Sequence, residues 1–113
     1  MKTISYNLRK NRALGEIDAL IKLHDADILC LQEADSVVLP LAIGHLSLAR
    51  ATQNNRLGLA MYVREDRFHV RDAHAFQLKK SLHDRVLQPA HERLLGARLH
   101  DRVTGRDLVA ASF

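Results

Sequence analysis

A short apolar run that turns polar at a carboxylate constrains the fold more than any other feature of the sequence. "DILCLQEAD" spans residues 27–35, is apolar over residues 28–31, and then turns polar at Gln32 and Glu33. A continuous apolar run of this length, bounded by charged residues, is typical of a strand buried on both faces of a sheet. Such a strand needs packed layers on both sides, and Glu33 is where it leaves the core.

The segments before this run predict a strand and a helix. "KTISYNL" alternates and contains β-branched and aromatic residues, which favours a strand. Asn11 is a suitable N-cap for the helix that follows. Apolar residues then recur at helical spacing: Leu14, Ile17, Leu20 and Ile21. Strand, helix and buried strand with short connections predict a βαβ unit, in which the two strands are parallel.

The remainder of the chain predicts mainly antiparallel strands. A short helix is expected near residues 40–42. A hairpin is expected with Thr104 and Gly105 at its tip. "KKSLHDRVLQPAHE" is the one long irregular segment. The predicted strands are "LSLARAT", "LGLAMYVR", "FHVRDAHAFQL", "RLLGARLH" and "DLVAASF".

Parallel pairing brings polar residues to one edge of the predicted sheet. Asn7 ends the first strand and Glu33 ends the second, so both lie at the carboxyl ends, where ligands bind in open α/β sheets. The connecting loop adds Arg9, Lys10 and Arg12 to this edge. A carboxylate oxygen suits Mg²⁺, and an asparagine can donate to a phosphate oxygen. Spacing alone is equally compatible with a solvated glutamate and an asparagine that begins a turn.

Composition narrows the class of protein. A formal charge of +4 suits anionic partners, although the basic residues are scattered. Aromatic residues make up only 4% of the chain, which disfavours a surface that stacks bases. Cys30 is the only cysteine and lies in the apolar run, so we expect a buried thiol in a reducing compartment. Neither a signal peptide nor an apolar run long enough to span a membrane occurs, which predicts a soluble, cytoplasmic protein.

Two segments together resemble the opening of the endonuclease/exonuclease/phosphatase family, whose fold is DNase I-like. They are "ISYNLR" and, after one helix, "DILCLQEAD". The family's later strands resemble "GLAMYVR" and "ERLLGARLHDRVTGRDLVAASF".

The resemblance implies a fold and a set of site residues. The fold would be an α/β protein, part of a four-layer αββα sandwich. Asn7 and Glu33 would be catalytic, and Glu33 would bind Mg²⁺ or Mn²⁺. Arg9 or Lys10 would hold the charge of a phosphoester substrate, nucleic acid being one possibility.

The sequence also departs from that family. The family's catalytic histidine would follow Phe113, and its Gly-Asp-x-Asn and Ser-Asp-His motifs do not occur. The resemblance therefore implies that residues 1–113 are the N-terminal portion of one domain, with one sheet and its helices. We expect such a chain to be inactive alone, because it lacks the general base.

The absent half would also leave a sheet face uncovered. We therefore expect self-association or binding of a complementary C-terminal half. Two alternatives remain: a non-catalytic binding module derived from the same fold, and a small α/β protein unrelated to the family.

Overall fold

A computed structural model describes residues 1–10, 12–53, 57–77 and 92–113, without the side chains of residues 77, 92 and 93. The predicted N-cap Asn11 and residues 79–91 of the predicted irregular segment lie outside these ranges. The helical elements are a 3₁₀ turn at Leu14–Glu16 and helix α1 at Ile17–His24. The strands are β1 (Thr3–Asn7), β2 (Ile28–Ala34), β3 (Ala42–Ile43), β4 (Leu46–Ala51), β5 (Gly58–Arg64), β6 (Phe68–Gln77), β7 (Glu92–Asp101) and β8 (Arg106–Ser112).

The first sheet has five strands in the order β1-β2-β5-β4-β3. β1 and β2 are parallel, as predicted, with Asn7 opposite Gln32. The other pairings in this sheet are antiparallel. β2 lies second from one edge and is buried on both faces. The prediction drawn from its apolar run is confirmed.

Helix α1 covers one face of this sheet. Ile17 and Ile21 are fully buried against Leu29 and Leu31 of β2 and against Tyr62 of β5. The helix follows directly on the 3₁₀ turn, and no side chain caps its N-terminus. Its C-terminus is closed by Asp25 in the left-handed conformation, at φ 49°. The chain is thereby turned into β2 within three residues.

A second sheet, in the order β6-β7-β8, covers the opposite face. Ile28 and Met61 of the first sheet pack in one apolar cluster with Phe68, Leu95 and Leu99 of the second. The expectation of a single sheet was therefore wrong. The turn after β5 carries the chain into a second layer. In β6 and β7, more buried and more exposed side chains alternate, so each strand buries one of its two sides against the first sheet. Helix, sheet and sheet form three layers, which confirms the predicted architecture as part of an αββα sandwich.

The short helix predicted near residues 40–42 was also wrong. Ala42 and Ile43 form β3 and pair with β4. Gly44 adopts φ 58° and permits the tight turn between them. The carbonyl of Pro40 accepts a hydrogen bond from the hydroxyl of Tyr62 at 2.6 Å. Cross-strand bonds thus hold this backbone extended.

An ionic network ties the two sheets together at the amino end of β2. Asp27 is buried and accepts from the Arg64 guanidinium at 2.9 Å. Arg67 lies 3.6 Å from Asp27 and donates two hydrogen bonds to Asp101, at 3.1 and 3.0 Å. The Arg67 guanidinium holds the pKa of Asp101 well below its ordinary value. This network lies at the end of β2 opposite Glu33, so it contributes to stability rather than to the predicted site.

The outer face of the second sheet is covered by nothing in the described residues. Charged pairs lie on this face together with exposed apolar residues. Asp72 pairs with Arg98 at 2.6 Å, and His100 lies 2.7 Å from Asp107. Val109 is an exposed apolar residue on β8. Within the described ranges, no helix has the length and apolar character needed to cross a membrane.

Candidate active site

Asn7 ends β1 and holds the loop that follows it. The Oδ1 atom of Asn7 accepts a hydrogen bond from the backbone N–H of Arg9 at 2.8 Å. This is the short side-chain-to-backbone bond by which asparagine stabilises a turn. Since the amide oxygen faces the loop, the Nδ2 group is the donor available to a ligand. The alternative that Asn7 begins a turn is therefore correct, and it leaves one polar group for binding.

Glu33 lies in a β-bulge near the end of β2. Leu31 pairs with Ala60 and Ala34 pairs with Gly58, so Gln32 and Glu33 together face a single residue of β5. The Glu33 backbone adopts the left-handed conformation, with φ 52°. Bulges of this kind change the direction of a side chain and often occur next to active sites. Here the bulge changes the direction of the carboxylate where the strand leaves the core.

The two predicted site residues meet at the same loop. Oε2 of Glu33 accepts a hydrogen bond from the backbone N–H of Lys10 at 3.1 Å, while Asn7 binds the N–H of Arg9. Successive peptide groups therefore hold the amide and the carboxylate. The two side chains lie on one rim, as the parallel pairing predicts.

Backbone strain is concentrated at this rim. Arg9, Lys10 and Glu33 all have positive φ, at 52°, 58° and 52°, and Asp25 is the only other non-glycine residue of this kind in the described ranges. Each such residue costs on the order of 1–2 kcal/mol. Strained residues persist where the surrounding structure fixes them, and they cluster at functional sites. Their grouping around Glu33 favours a binding site over a strand end in solvent.

Gln32 has a role that sequence reasoning missed. Its Nε2 atom lies within hydrogen-bond distance of three acceptors: Ser5 Oγ at 3.1 Å, Ser112 Oγ at 3.2 Å and the Cys30 carbonyl at 3.3 Å. Ser5 is on β1, and Ser112 ends β8 in the other sheet. Gln32 therefore fixes the position of the bulge relative to both sheets. The one sign of this role in the sequence is that Gln32 immediately precedes Glu33, the predicted metal ligand.

The donor set at the rim fits a hard divalent cation. Glu33 is half-buried and has no ion pair among the described residues, and the single hydrogen bond recorded for its carboxylate comes from Lys10. No group of three metal-ligating side chains forms in the same ranges. Mg²⁺ is often held by one or two carboxylates, with water and substrate phosphate as its other ligands. A single carboxylate with an open oxygen suits that mode and would not hold a structural zinc ion.

Arg9 and Lys10 contribute their backbones to the site. Their N–H groups fix Asn7 and Glu33, whereas both side chains are exposed and make no ion pair with a described residue. The predicted role of these side chains in substrate binding is compatible with this position and stays a prediction. Arg12 is exposed on the same loop.

Comparison with known proteins gives a family match over most of the chain. The model of the "Endonuclease/Exonuclease/phosphatase family" matches residues 4–109. No curated protein gives a significant match to the sequence.

Several solved structures share the fold. TDP2 of D. rerio, complexed with single strand DNA product, has a TM-score of 0.70 at 15% identity, covering 96% of this chain and 43% of that one. The human Nocturnin catalytic domain with bound sulfate anion has a TM-score of 0.66 at 19% identity. The match covers 96% of this chain and 47% of that one. The Bacteroides thetaiotaomicron mannosyl-6-phosphatase Bt3783 has a TM-score of 0.62 at 18% identity. The match covers 95% of this chain and 48% of that one. The chain spans about half the length of the structures it matches.

Proposed function

Because the chain belongs to the endonuclease/exonuclease/phosphatase family, we propose that it supplies the metal-binding side of a Mg²⁺-dependent phosphoester hydrolase. The observation that carries this proposal is the pairing of Asn7 and Glu33 on successive backbone amides at one strained rim. Glu33 is the proposed metal ligand, and Mn²⁺ would substitute for Mg²⁺ there.

Each residue of the rim has a distinct part in the proposed reaction. Mg²⁺ bound at Glu33 would polarise the phosphate and neutralise the leaving oxygen. The Nδ2 group of Asn7 donates to a phosphate oxygen. The exposed side chains of Arg9 and Lys10 attract and hold the negative charge of the substrate. The Gln32 hydrogen bonds to Ser5 and Ser112 keep the bulge fixed, so that the carboxylate does not reorient when substrate binds.

The proposed substrate is a phosphoester, and a nucleic acid is one candidate. The D. rerio TDP2 structure holds a single strand DNA product, and the Bacteroides relative is named a mannosyl-6-phosphatase. At these identities the likeness supports the fold alone. The formal charge of +4 agrees with any of these anionic substrates.

We propose that the 113 residues alone hydrolyse phosphoesters very slowly or not at all. Attack by water needs a positioned base, and the Gly-Asp-x-Asn and Ser-Asp-His motifs that the family uses do not occur in the sequence. A complementary polypeptide segment would have to supply this chemistry. Among the described residues the rim supplies one carboxylate as a metal ligand, which agrees with such an arrangement.

Metal binding gives the direct test. Mn²⁺ broadens the NMR signals of nearby nuclei, so a titration of the ¹⁵N-labelled chain locates the ion. We expect selective broadening at Asn7, Lys10 and Glu33. The Glu33→Gln variant keeps the shape of the side chain but removes its charge, and should bind at least about tenfold more weakly.

Glu65→Gln is the matched control. Glu65 accepts a hydrogen bond from Ser47 at 3.1 Å, near the end of β2 opposite Glu33. This variant should bind Mn²⁺ as the unmodified chain does. Equal losses in the two variants would indicate nonspecific binding to acidic residues and would remove the support for a metal site at Glu33.

A non-catalytic binding module is the second candidate function, and the lack of both base motifs favours it. The two candidates differ in what a complementing C-terminal segment of a family member would do. A half-site of a hydrolase should acquire Mg²⁺-dependent hydrolysis of bis-p-nitrophenyl phosphate, abolished by Glu33→Gln. A binding module should bind phosphate with no turnover under the same conditions.

A further inference from the structure

Two strand edges are open on the same side of the sandwich. β1 ends the first sheet and β8 ends the second, and neither pairs with a further strand in the described part of the chain. The Nε2 atom of Gln32 lies 3.1 Å from Ser5 Oγ of β1 and 3.2 Å from Ser112 Oγ of β8, so the two strands are neighbours. Both keep a regular register with no bulge. A regular open edge is a template for pairing with another chain.

The edges on the opposite side are poorly suited to such pairing. β3, the last strand of the first sheet, has only two residues. Where β3 ends, the N–H of Leu48 in β4 donates to the Leu41 carbonyl at 2.8 Å. β6, the last strand of the second sheet, bulges at Arg71, where its register with β7 shifts. Short edge strands and bulges block pairing with other chains, so β1 and β8 are the edges that remain suited to it.

The outward backbone groups of β1 belong to alternate residues. The Lys2 carbonyl accepts a hydrogen bond from β2, and the Leu8 N–H donates to it, so the even-numbered residues of β1 bond to β2. Each such residue of a parallel pair directs both its N–H and its C=O to the neighbouring strand. Thr3, Ser5 and Asn7 therefore direct theirs to the open edge. A groove of about 610 Å³ runs beside this edge, between β1 and helix α1, and leaves room for an added strand.

The second sheet ends one strand short of the first on this side. β7 packs against β5, β6 packs against β4, and β8 lies over β2, so no described strand lies over β1. Ile28 and Cys30 of β2 are buried beneath the second sheet, and the residues opposite them on β1 are Thr3 and Ser5. Together with Asn7 they form a polar strip, exposed on the inner face of β1. Polar groups of this kind can be buried in a sandwich only against hydrogen-bond partners.

A second copy of the chain fits this open side. A two-fold axis in the plane midway between the two sheets exchanges the layers, so it brings β1 of each copy beside β8 of the other. Both sheets then continue from one copy into the other. Because the second sheet is one strand shorter, β1 of the partner copy lies over β1, and the two polar strips face each other. Each strip offers hydroxyl and amide groups as hydrogen-bond partners to the other.

We infer that the 113 residues by themselves form a two-fold dimer through β1, β8 and the polar strip. The dimer goes beyond the proposed hydrolase and does not rest on it, because the open edges and the strip belong to the fold. A second copy has the same sequence and brings no general base. The dimer therefore agrees with a chain that is inactive by itself.

The mass of the full chain in solution gives the first test. Light scattering after size-exclusion chromatography should give twice the mass of one chain at millimolar concentration, with dissociation at micromolar concentration. The mass of one chain at every concentration would overturn the dimer. A mass that keeps rising with concentration would indicate open-ended strand pairing and would overturn the closed two-fold arrangement.

Hydrogen exchange of the backbone amides locates the interface. The N–H groups of Thr3 and Ser5 should exchange at least about tenfold more slowly in the concentrated sample than in the dilute one. The outward amides of β8 should slow with them. The amides on the outer edge of β6 are the internal control and should exchange equally fast in both samples. Slowing at β1 without β8, or equal slowing at β6, would overturn the arrangement.

Proline at Thr3 tests the backbone edge directly. Thr3→Pro removes an outward N–H, and proline is tolerated in edge strands at such positions. This variant should weaken the dimer about tenfold, the size of a lost hydrogen bond. Thr3→Ala is the matched control, because it shortens the same side chain and keeps the N–H, and it should weaken the dimer less. Equal losses in the two variants would overturn pairing through the β1 backbone.

Another occupant of the same side would be recognised by these amides. The probe is the C-terminal segment of a family member used for complementation. If the chain stayed monomeric and only this segment slowed exchange at Thr3 and Ser5, the occupant would be the segment. The second copy would then be rejected.

Discussion

The left-handed backbone of Glu33 makes a specific prediction about stability. At φ 52° a β-carbon costs about 1–2 kcal/mol, and alanine retains that carbon while glycine lacks it. Glycine has its own disadvantage, because the freer unfolded chain destabilises the fold by about 0.4–1 kcal/mol. Both truncations remove the same carboxylate and the same hydrogen bond to Lys10. The difference leaves Glu33→Gly more stable than Glu33→Ala by about 1 kcal/mol.

The neighbouring position provides the control. Gln32 has no positive φ, so a glycine there brings only its entropic disadvantage. We expect Gln32→Gly to be less stable than Gln32→Ala by about 0.5–1 kcal/mol. Both variants lose the same side-chain hydrogen bonds, so that loss cancels in the comparison. The preference for glycine or alanine should therefore reverse between two adjacent residues of β2.

Urea unfolding followed by circular dichroism measures these differences. In thermal unfolding, a change of 1 kcal/mol in the free energy of unfolding corresponds to roughly 4 °C in the melting temperature of a domain of this size. If Glu33→Ala proved as stable as Glu33→Gly, the backbone at Glu33 would be unstrained. The argument that the bulge holds the carboxylate in a fixed direction would then fail.

Three further predictions concern the scaffold. Gly44→Ala should destabilise the chain by about 1–2 kcal/mol in urea unfolding, since φ is 58° and the new Cβ would lie 3.2 Å from Asp18 Oδ1. Gly15→Ala, whose Cβ meets nothing within 4 Å, should be neutral or slightly stabilising. Tyr62→Phe should lose about 1 kcal/mol by the same assay, because the Pro40 carbonyl loses its donor. Arg67 lowers the pKa of Asp101, so ionised Asp101 stabilises the folded chain. This stabilisation is complete above the unfolded-state pKa of about 3.9 and is lost as the pH falls below that value. Asp101→Asn should therefore flatten the acid limb of a pH–stability profile, and an unchanged limb would contradict the assignment.

Local patterns predicted the first βαβ unit and the shared edge at which Asn7 and Glu33 lie. The apolar residues of β2 alternate between the helix side and the second sheet, so the continuous run required two covered faces. Parallel pairing then placed Asn7 and Glu33 at one edge, because both strands run the same way. These inferences needed only short-range periodicity and the rules for chain connection.

The errors arose where distant contacts decide the structure. The segment around Pro40 was expected to be helical, yet Tyr62 and β4 hold it extended. A single sheet was expected, yet the chain crosses into a second layer after β5. Propensity is a weak guide in both places, since tertiary hydrogen bonds and burial outweigh it.

The sequence by itself determined that a buried strand delivers Glu33 to the same edge as Asn7, because periodicity and chain direction are local properties. It could not determine how the side chains are held there. The left-handed bulge, the backbone bond from Lys10 to Glu33, and the link from Gln32 to Ser112 all depend on strands that are distant in sequence. Only the folded chain brings these groups within hydrogen-bond distance.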